Sequence, residues 1–542
     1  MTTTAVAKPR VRVGTDGRVR PAGAPERPVA SASYMRGDYP YGGGVPSSFL
    51  MSWTPALRDG RNDVLQGYTR SAARVIDAVH NSGWLAGMVR QAIASTIGTG
   101  LSLVAKPDVK LFGGDIKAAN SWAQEVEAAF DDHATCPEEV DAAGKHTLGQ
   151  MTEAALRSHF AYGEILGLLP MIDRPGSETR LKLKLLPPHK LVQDTDGVRL
   201  FQGVHHDAWD YPLAYRMMLR LNASNMETPV DVPARDGLSR KQVLHIFNGE
   251  VGTVRGISEF APSLQLVRQF DQLADATLTT SLLQTIFSAT LESSAPTMEA
   301  LQGLQNPGEQ GVSGGSIEDF LEAKLAFHKG TRIDLGQHGK IAHLFPGESL
   351  KFNSTQTPHD NYQPFAKLLL REISRCAGMT FEEATGDYAG ATYASINMAS
   401  AVVWPITLTR RIFVAVPLVQ PVYEAWLEER IESGRQGFPG GIVAFRANRR
   451  AACRAYWRGP PKPQGDWLKM AKAYETLRNM GVITDEQICA ELGSDWQDVM
   501  EQRARERAER ERLGLPETDA ASVAKDNLGD QLLAEPDAPA KD

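Results

Sequence analysis

Cysteine is scarce in this chain. Four cysteines occur in 542 residues (Cys136, Cys376, Cys453 and Cys489), far apart and with no CxxC pair. That excludes a disulfide framework or a zinc ribbon and points to a reducing compartment. Long hydrophobic runs are absent as well. No 18 consecutive apolar residues occur, and the most apolar window, Ile396 to Val419, is interrupted by Pro405, Arg410, Arg411 and Pro417. A membrane span is therefore not expected. The first residues, MTTTAVAKPRVRVGTDGR, contain no apolar core of signal-peptide length. Positive charge is not in excess either: 58 Lys and Arg face 65 Asp and Glu, a net charge of −7. This argues against a general nucleic-acid binder, though not against a protein past which DNA slides.

Catalytic signatures are also missing. AAGKHT at 142–147 has a Gly-Lys pair but neither the upstream glycine nor the Ser/Thr after Lys145 that a phosphate loop needs. IGTGLS at 97–102 is a glycine turn without GxGxxG, and there is no HExxH or GxSxG. In VHHD at 204–207, His205 and His206 would face opposite sides of a strand and not converge on a metal. Asp207 and Asp210 lack a third carboxylate, and Cys376 sits on an apolar stripe. No catalytic residue, metal site or cofactor is expected, and the chain reads as a non-enzyme.

What is present is a hydrophobic content of 42% with 23% charged residues, enough core for several domains. Residues 1–50 are rich in Ala, Pro, Gly, Thr and Arg and read as a disordered arm. Residues 69–98 read as helices broken near Asn81–Gly83, LSLVAKP as a strand, and Trp122, Val126 and Phe130 as the apolar face of another helix. TLGQMTEAALRSHFAYGEILGLLP at 147–170 reads as helix then strand. Strand patterns follow at 181–188, 198–207, 211–219 and 241–247, giving an α+β domain.

From 255, Val267, Phe270, Ala274, Leu278, Leu282 and Ile286 repeat at helical spacing, with Pro262 in the first turn, and the pattern extends to about Leu291. Residues 293–357 form an irregular insert with a short helix near 317–325 and strand candidates at 326–335 and 340–346. A helix over 360–377 follows, with Phe365, Leu369, Ile373 and Cys376 on one stripe. Two helices flanking a small module predict an antiparallel hairpin with a cap at its tip. A glycine-punctuated loop then leads into a helix from Ala391 to Gly434, which Pro405, Pro417 and Pro421 should bend or break. Residues 438–460 read as a strand and a basic connection. A helical region follows, with a Thr484/Gln487 capping box and a mixed-charge helix over 501–512.

Several segments together resemble the portal proteins of lambda-like tailed phages. They are NSGWLAGMVRQAIASTIGTGLSL, FAYGEILGLL, HHDAWDYPLAYRMML, VLHIFNGEVGTVRGISEFAPSL, LLLREISRCAGMTFEEATGDYAGATYASINMASAVVW and GVITDEQICAELGSDWQDV. They occur in unbroken order over roughly residues 50–515. Departures are His80 and Asn81 where the family shows Arg-Asn, and Thr253 in GTVRG where it often shows Gln.

The resemblance implies an α+β portal fold with these parts: a flexible arm (1–55), a wing (56–255), a first stem helix (256–292), a clip (293–358) and a second stem helix (359–379). A tunnel loop (380–392), a long kinked helix with wing return (393–459), a helical crown (460–512) and a disordered tail (513–542) complete it. It implies a homo-oligomeric ring, dodecameric in the family, at one capsid vertex of the virion, assembled in host cytoplasm. Double-stranded DNA would pass through the ring, which would meet the major capsid protein, the terminase large subunit and head–tail connector proteins, with no membrane. The tunnel-loop candidates are Thr380, Glu382, Glu383, Asp387, Tyr388, Thr392 and Tyr393. Arg371 and Arg375 would face the channel from the stem, and Lys324, His328, Lys329 and Arg332 would dock partners at the clip. The competing readings are a capsid or tail scaffold without a DNA channel and a nucleic-acid-processing enzyme.

Overall fold

The computed structural model describes residues 12–13, 19–20, 59–220, 226–286, 289–293, 322, 325–326, 348–352, 362–463 and 466–514. Most of the 293–358 insert, including nearly all of both strand candidates and Lys324, His328, Lys329 and Arg332, lies outside the described residues. So do nearly all of the N-terminal arm and the tail beyond 514. The chain divides into two compact units, Met1–Asp63 and Val64–Asp542. The first contains a short antiparallel hairpin, β1 (Arg12–Val13) with β2 (Val19–Arg20).

The second unit mixes helix and sheet. Helices α1 (Gly60–Asn81) and α2 (Gly83–Ile97) are split at Ser82, whose backbone is extended. Strand β3 (Ser102–Ala105) and helix α3 (Ile116–Thr135) follow. Helix α4 (Leu148–Tyr162) opens on a Thr147/Gln150 capping box that satisfies two free amides. It stops at Gly163, held at φ 87°.

Two antiparallel sheets carry the next hundred residues. One has the order β10–β4–β5 (Val243–Phe247, Glu164–Leu168, Lys184–Leu186). The other is the meander β6–β7–β8–β9 (Leu200–Phe201, Val204–His206, Pro212–Leu219, Thr228–Pro233). Here the sequence reading needs two corrections. The single strand expected over 198–207 is a hairpin, because Gln202 and Gly203 take φ values of 47° and 80° and reverse the chain. Strand β9 was not anticipated: Pro229 and Pro233 argue against a strand, yet are tolerated because β9 lies at the sheet edge.

The helix expected from 255 to 291 is shorter. A 3-10 turn (Ala261–Ser263) precedes α5 (Leu264–Ile286), and Ala289–Ser293 is strand β11, paired with β12 (Glu348–Phe352). A distant pairing partner overrides local helical preference there. Helix α6 (Tyr362–Cys376) packs on α5 through Leu369, Leu370 and Ile373. Phe365, expected on the covered stripe, is exposed.

After α7 (Phe381–Thr385), helix α8 runs without interruption over Tyr393–Glu432, 40 residues, about 60 Å at 1.5 Å per residue. The prolines do not break it. Arg411–Ala415 forms a π-turn just ahead of Pro417, where a missing N–H and the pyrrolidine ring would otherwise disrupt the ladder. Helix α8 is long and apolar enough, by length and composition, to cross a membrane, but part of it is buried in the protein. Tyr423, Trp426 and Leu427 sit in the main core with Phe130, Phe160, Leu85 and Met88. A second core fills the space between the sheets (Leu166, Tyr215, Met217, Val254).

The basic stretch after 438 is helices α9 (Gly441–Ala447) and α10 (Arg449–Ala452), then β13 (Ala455–Arg458) paired with β3. Three of its arginines are consumed within the chain. Arg446 and Arg449 hold the buried Glu428 at 2.7 and 2.5 Å, and Arg458 holds Asp495 at 2.7 Å. Helices α11 (Trp467–Asn479), α12 (Asp485–Glu491) and α13 (Trp496–Leu513) end the described chain and bury no residue fully.

Two short motifs explain each other. Gly163-Glu164 starts β4, and Arg255-Gly256 leads toward α5. The Arg255 guanidinium and the Glu164 carboxylate, both fully buried, make paired bonds of 2.5–2.9 Å. His245 lies 3.0 Å from the same carboxylate, and the Tyr68 hydroxyl donates to it at 2.6 Å. Burial alone would raise the Glu164 pKa, but Arg255 and His245 outweigh it and hold it down to about 2. A Cβ on Gly163 would lie 2.2 Å from Ile257 backbone, and one on Gly256 2.1 Å from the Gly163 carbonyl. Both glycines are needed for that approach.

A group depressed on folding stabilises fully above its unfolded pKa and loses that contribution as pH falls toward its folded value. Glu164→Gln should therefore flatten the acid limb of the stability curve between about pH 4.5 and pH 2. At pH 7, Glu164→Ala, which leaves Arg255 buried and unpaired, should cost about 3–5 kcal/mol. Urea titrations across pH measure both.

Candidate functional site: the 377–393 loop and its anchorage

The candidate loop is more ordered than its glycines imply. Thr380 Oγ1 accepts from the Glu383 amide at 3.1 Å, and the Glu383 carboxylate accepts from the Thr380 amide at 3.2 Å. This capping box starts α7, so Thr380, Glu382 and Glu383 belong to a half-buried helical turn rather than to open loop. Gly386, at φ 69°, ends it. Only residues 387–392 are irregular, and they are pinned. Asp387 forms a 2.7 Å ion pair with Lys367 of α6 and accepts from the Ala389 amide at 3.0 Å. Those two partners hold the Asp387 carboxyl below the usual carboxylate range. Thr392 caps α8 through Ser395. Tyr388, Thr392 and Tyr393 are exposed.

On α6, Arg371 and Arg375 are exposed, with the Arg371 guanidinium 5.2 Å from the Phe381 ring centre. That stacking ties α6 to α7. The four basic residues at 324–332 lie outside the described residues, so nothing places them near this loop.

The loop is anchored behind Gly378, which takes φ 67°. A Cβ there would come within 2.9 Å of Ile406 Cγ2 on α8. Next to it, Arg410 of α8 donates to Glu259 at 2.8 Å and to the Ala377 carbonyl at 3.1 Å, with its guanidinium 4.7 Å from the Phe160 ring centre. One side chain thus joins α8, the end of α6 and the segment before α5. Burial raises the Glu259 carboxyl, but His159 and Arg410 outweigh it and keep it below the usual range. Arg411 points the other way. It donates to the carbonyls of Thr96 and Pro460, each at 2.8 Å. A carbonyl at the end of α2 suits a cation, because unpaired carbonyls there carry partial negative charge. Sequence reasoning noted both arginines as breaks in an apolar window and missed this divided role. The adjacent Arg-Arg in an apolar helix was the available signal.

Elsewhere the geometry is unfavourable to chemistry. In the Gly-Lys turn, Asp141 accepts from the amides of Ala143, Lys145 and His146 at 2.9–3.2 Å, so the amides a phosphate would need are occupied. His205 lies 3.4 Å from Asp231, which Arg216 also pairs. Among the described residues no group of three or more metal-ligating side chains assembles. Burial pushes the Cys376 thiol up, away from a reactive thiolate.

With this geometry in view, the comparisons with known proteins are direct. Residues 47–411, more than half of the chain, match the family model described as phage portal protein, lambda family. The chain belongs to that family. It is similar to the portal protein of Escherichia phage N15, at 26% identity over 493 residues covering 88% of this chain and 91% of the relative. It is also similar to portal protein B of Escherichia phage lambda, at 25% identity over 512 residues covering 92% and 93%. A solved neck structure of an empty GTA particle overlays with a TM-score of 0.41 and 14% identity, covering 86% of this chain and 95% of its own.

Gly378→Ala should destabilise the anchorage by about 1–2 kcal/mol, the cost of a Cβ in the left-handed region, plus any displacement of Ile406. Chemical denaturation measures the loss. Limited proteolysis should show earlier cleavage within 386–392 in the variant than in the parent chain.

Proposed function

We propose that this chain is the subunit of a portal ring, a channel at one capsid vertex through which double-stranded DNA enters and leaves. Family membership over 47–411 is the main support. The observation that carries ring assembly is an uncovered apolar face on the helix pair. Leu278 and Leu282 on α5, and Phe365 and Leu368 on α6, are at least half exposed although their spacing is that of a buried stripe. A lone chain leaves this face in water, whereas neighbours around a ring would cover it.

In this reading, 56–255 serves as wing, α5 and α6 as stem, 293–358 as clip and 460–512 as crown. The 380–392 segment is the tunnel loop and presents Tyr388, Thr392 and Tyr393 to DNA. Lys367 is neutralised by Asp387, and Arg371 is stacked on Phe381. A bore with few free cations would not grip phosphates and would let the duplex slide. Terminase would supply ATP hydrolysis from a separate protein, docking with connector proteins at the clip, while the major capsid protein surrounds the wing. The portal acts in this reading as a structural conduit in the virion, with no catalytic residue of its own.

Negative-stain electron microscopy with mass analysis of the full chain tests the ring. Rings with a central hole support the proposal, and a chain that stays monomeric even when co-expressed with its capsid proteins overturns it. Deleting Ala389–Ala391 should leave ring yield unchanged and reduce DNA retained per particle several-fold, measured by nuclease protection. Unchanged packaging would favour the channel-less scaffold.

A further inference from the structure

We infer that neighbouring subunits are joined by a knob and hole in which Trp209 of one copy enters an apolar pocket on the next. This rests on the ring reading and adds the contact surface. Trp209 is 90% exposed at the tip of the β7–β8 hairpin. The tip is rigid. Asp207 accepts through its carboxylate from the amides of Trp209 and Tyr211, at 2.8 and 2.9 Å, and Asp210 takes φ 61°. The Asp207 amide donates to the Tyr211 carbonyl at 3.0 Å, and the Tyr211 hydroxyl is held by Arg235. An indole fixed in water by such a turn gains nothing for the fold. Exposed, preorganised tryptophans are the side chains that dominate protein–protein contacts.

The hole is on the same chain. A cavity of about 320 Å³ opens between α1, α4 and β5, lined by Ile76, Ala155, Leu185, Leu186 and Pro187. Its walls are mainly apolar, and it is roomy enough for an indole. Charges complement as well. Asp207 and Asp210 flank the knob, while Arg157 stands at the rim and Lys184 is exposed beside Leu185. Arg157 already pairs with Glu153 on the surface at 2.8 Å, so the rim contact steers more than it binds.

Trp209 cannot fill its own pocket. Leu191, just after Pro187, bridges Met217 near the far end of β8, whereas Trp209 precedes the strand. Met217 is the sixth residue of β8, so the start of the strand, and Trp209 before it, lies roughly 17 Å or more from Leu191 at about 3.3 Å per residue. In the ring reading the occupant is a second copy of this chain, which carries the same exposed Trp209. Because knob and hole are different surfaces, the contact is head-to-tail, the type that closes rings.

The test uses the full chain. Trp209→Ala and Ala154→Glu, the latter at an exposed position on the pocket wall, should each lower the ring fraction by at least about tenfold. Trp209→Phe should retain most of it, and circular-dichroism melts should match the parent. A Trp209→Cys/Ala154→Cys double variant treated with a short bismaleimide should give a covalent ladder of ring multiples. Each single variant should give no more than the parent. Parent-like rings from Trp209→Ala, with no ladder from the double variant, overturn the knob and leave the ring standing. A parent chain that forms no ring, alone or with its capsid proteins, overturns both.

Discussion

The buried Glu164–Arg255 pair is the contact on which the rest of the second unit depends. Two ions removed from water must be fully satisfied or the fold pays several kcal/mol for each. Arg255 meets this condition by bonding Glu164 and the carbonyls of Pro188, Leu191 and Gln202, with Tyr68 beneath its guanidinium at 4.3 Å. Those partners come from α1, β4, the turn at 188–191 and the β6–β7 turn of the four-stranded sheet. Removing any one would leave a charged group short of a bond. The pair therefore selects one arrangement of these segments and fixes the direction in which the chain leaves toward α5.

A second joint repeats this logic a short way along the chain. Glu259 follows the first joint by four residues and is met by Arg410, whose guanidinium also caps Ala377. The path from sheet to helix pair, and from helix pair to α8, thus passes through two consecutive carboxylate–arginine contacts. The first is dry. The second keeps Glu259 partly open to solvent. Movement of the helix pair relative to α8 would have to be absorbed at the second, because the first has no alternative partners to exchange.

The helices were the legible part of the sequence. The break near Asn81–Gly83, the helix-to-strand change within 147–170, the capping box at Thr484, and the helical spacing of Leu369 and Ile373 are local signals with local causes. Strands were less legible, because β9 and β11 depend on distant partners and carry prolines or helix-like spacing. The persistence of α8 through three prolines was also hidden, since periodicity does not register a π-turn. Of the candidate site, the glycines announced a loop but not the capping box that turns half of it into helix. Asp387 gave no sign of its ion pair with Lys367, 20 positions away. The motifs GE and RG were visible as words. Their meaning, two glycines that let a carboxylate and a guanidinium meet, required three dimensions.

The π-turn divides α8 into two mechanically different parts. From Val416 to Glu432 eleven residues are buried, whereas from Tyr393 to Arg410 only Val403, Thr407 and Arg410 are. The helix resembles a cantilever: built into the core at one end, more exposed at the other, with the irregular-loop residues at its tip. In such a beam, load at the tip appears as bending moment at the root, where Arg410 and Arg411 brace it from opposite sides. A push on Tyr393 would thus be felt first not in the loop but some 25 Å away, at the two arginines.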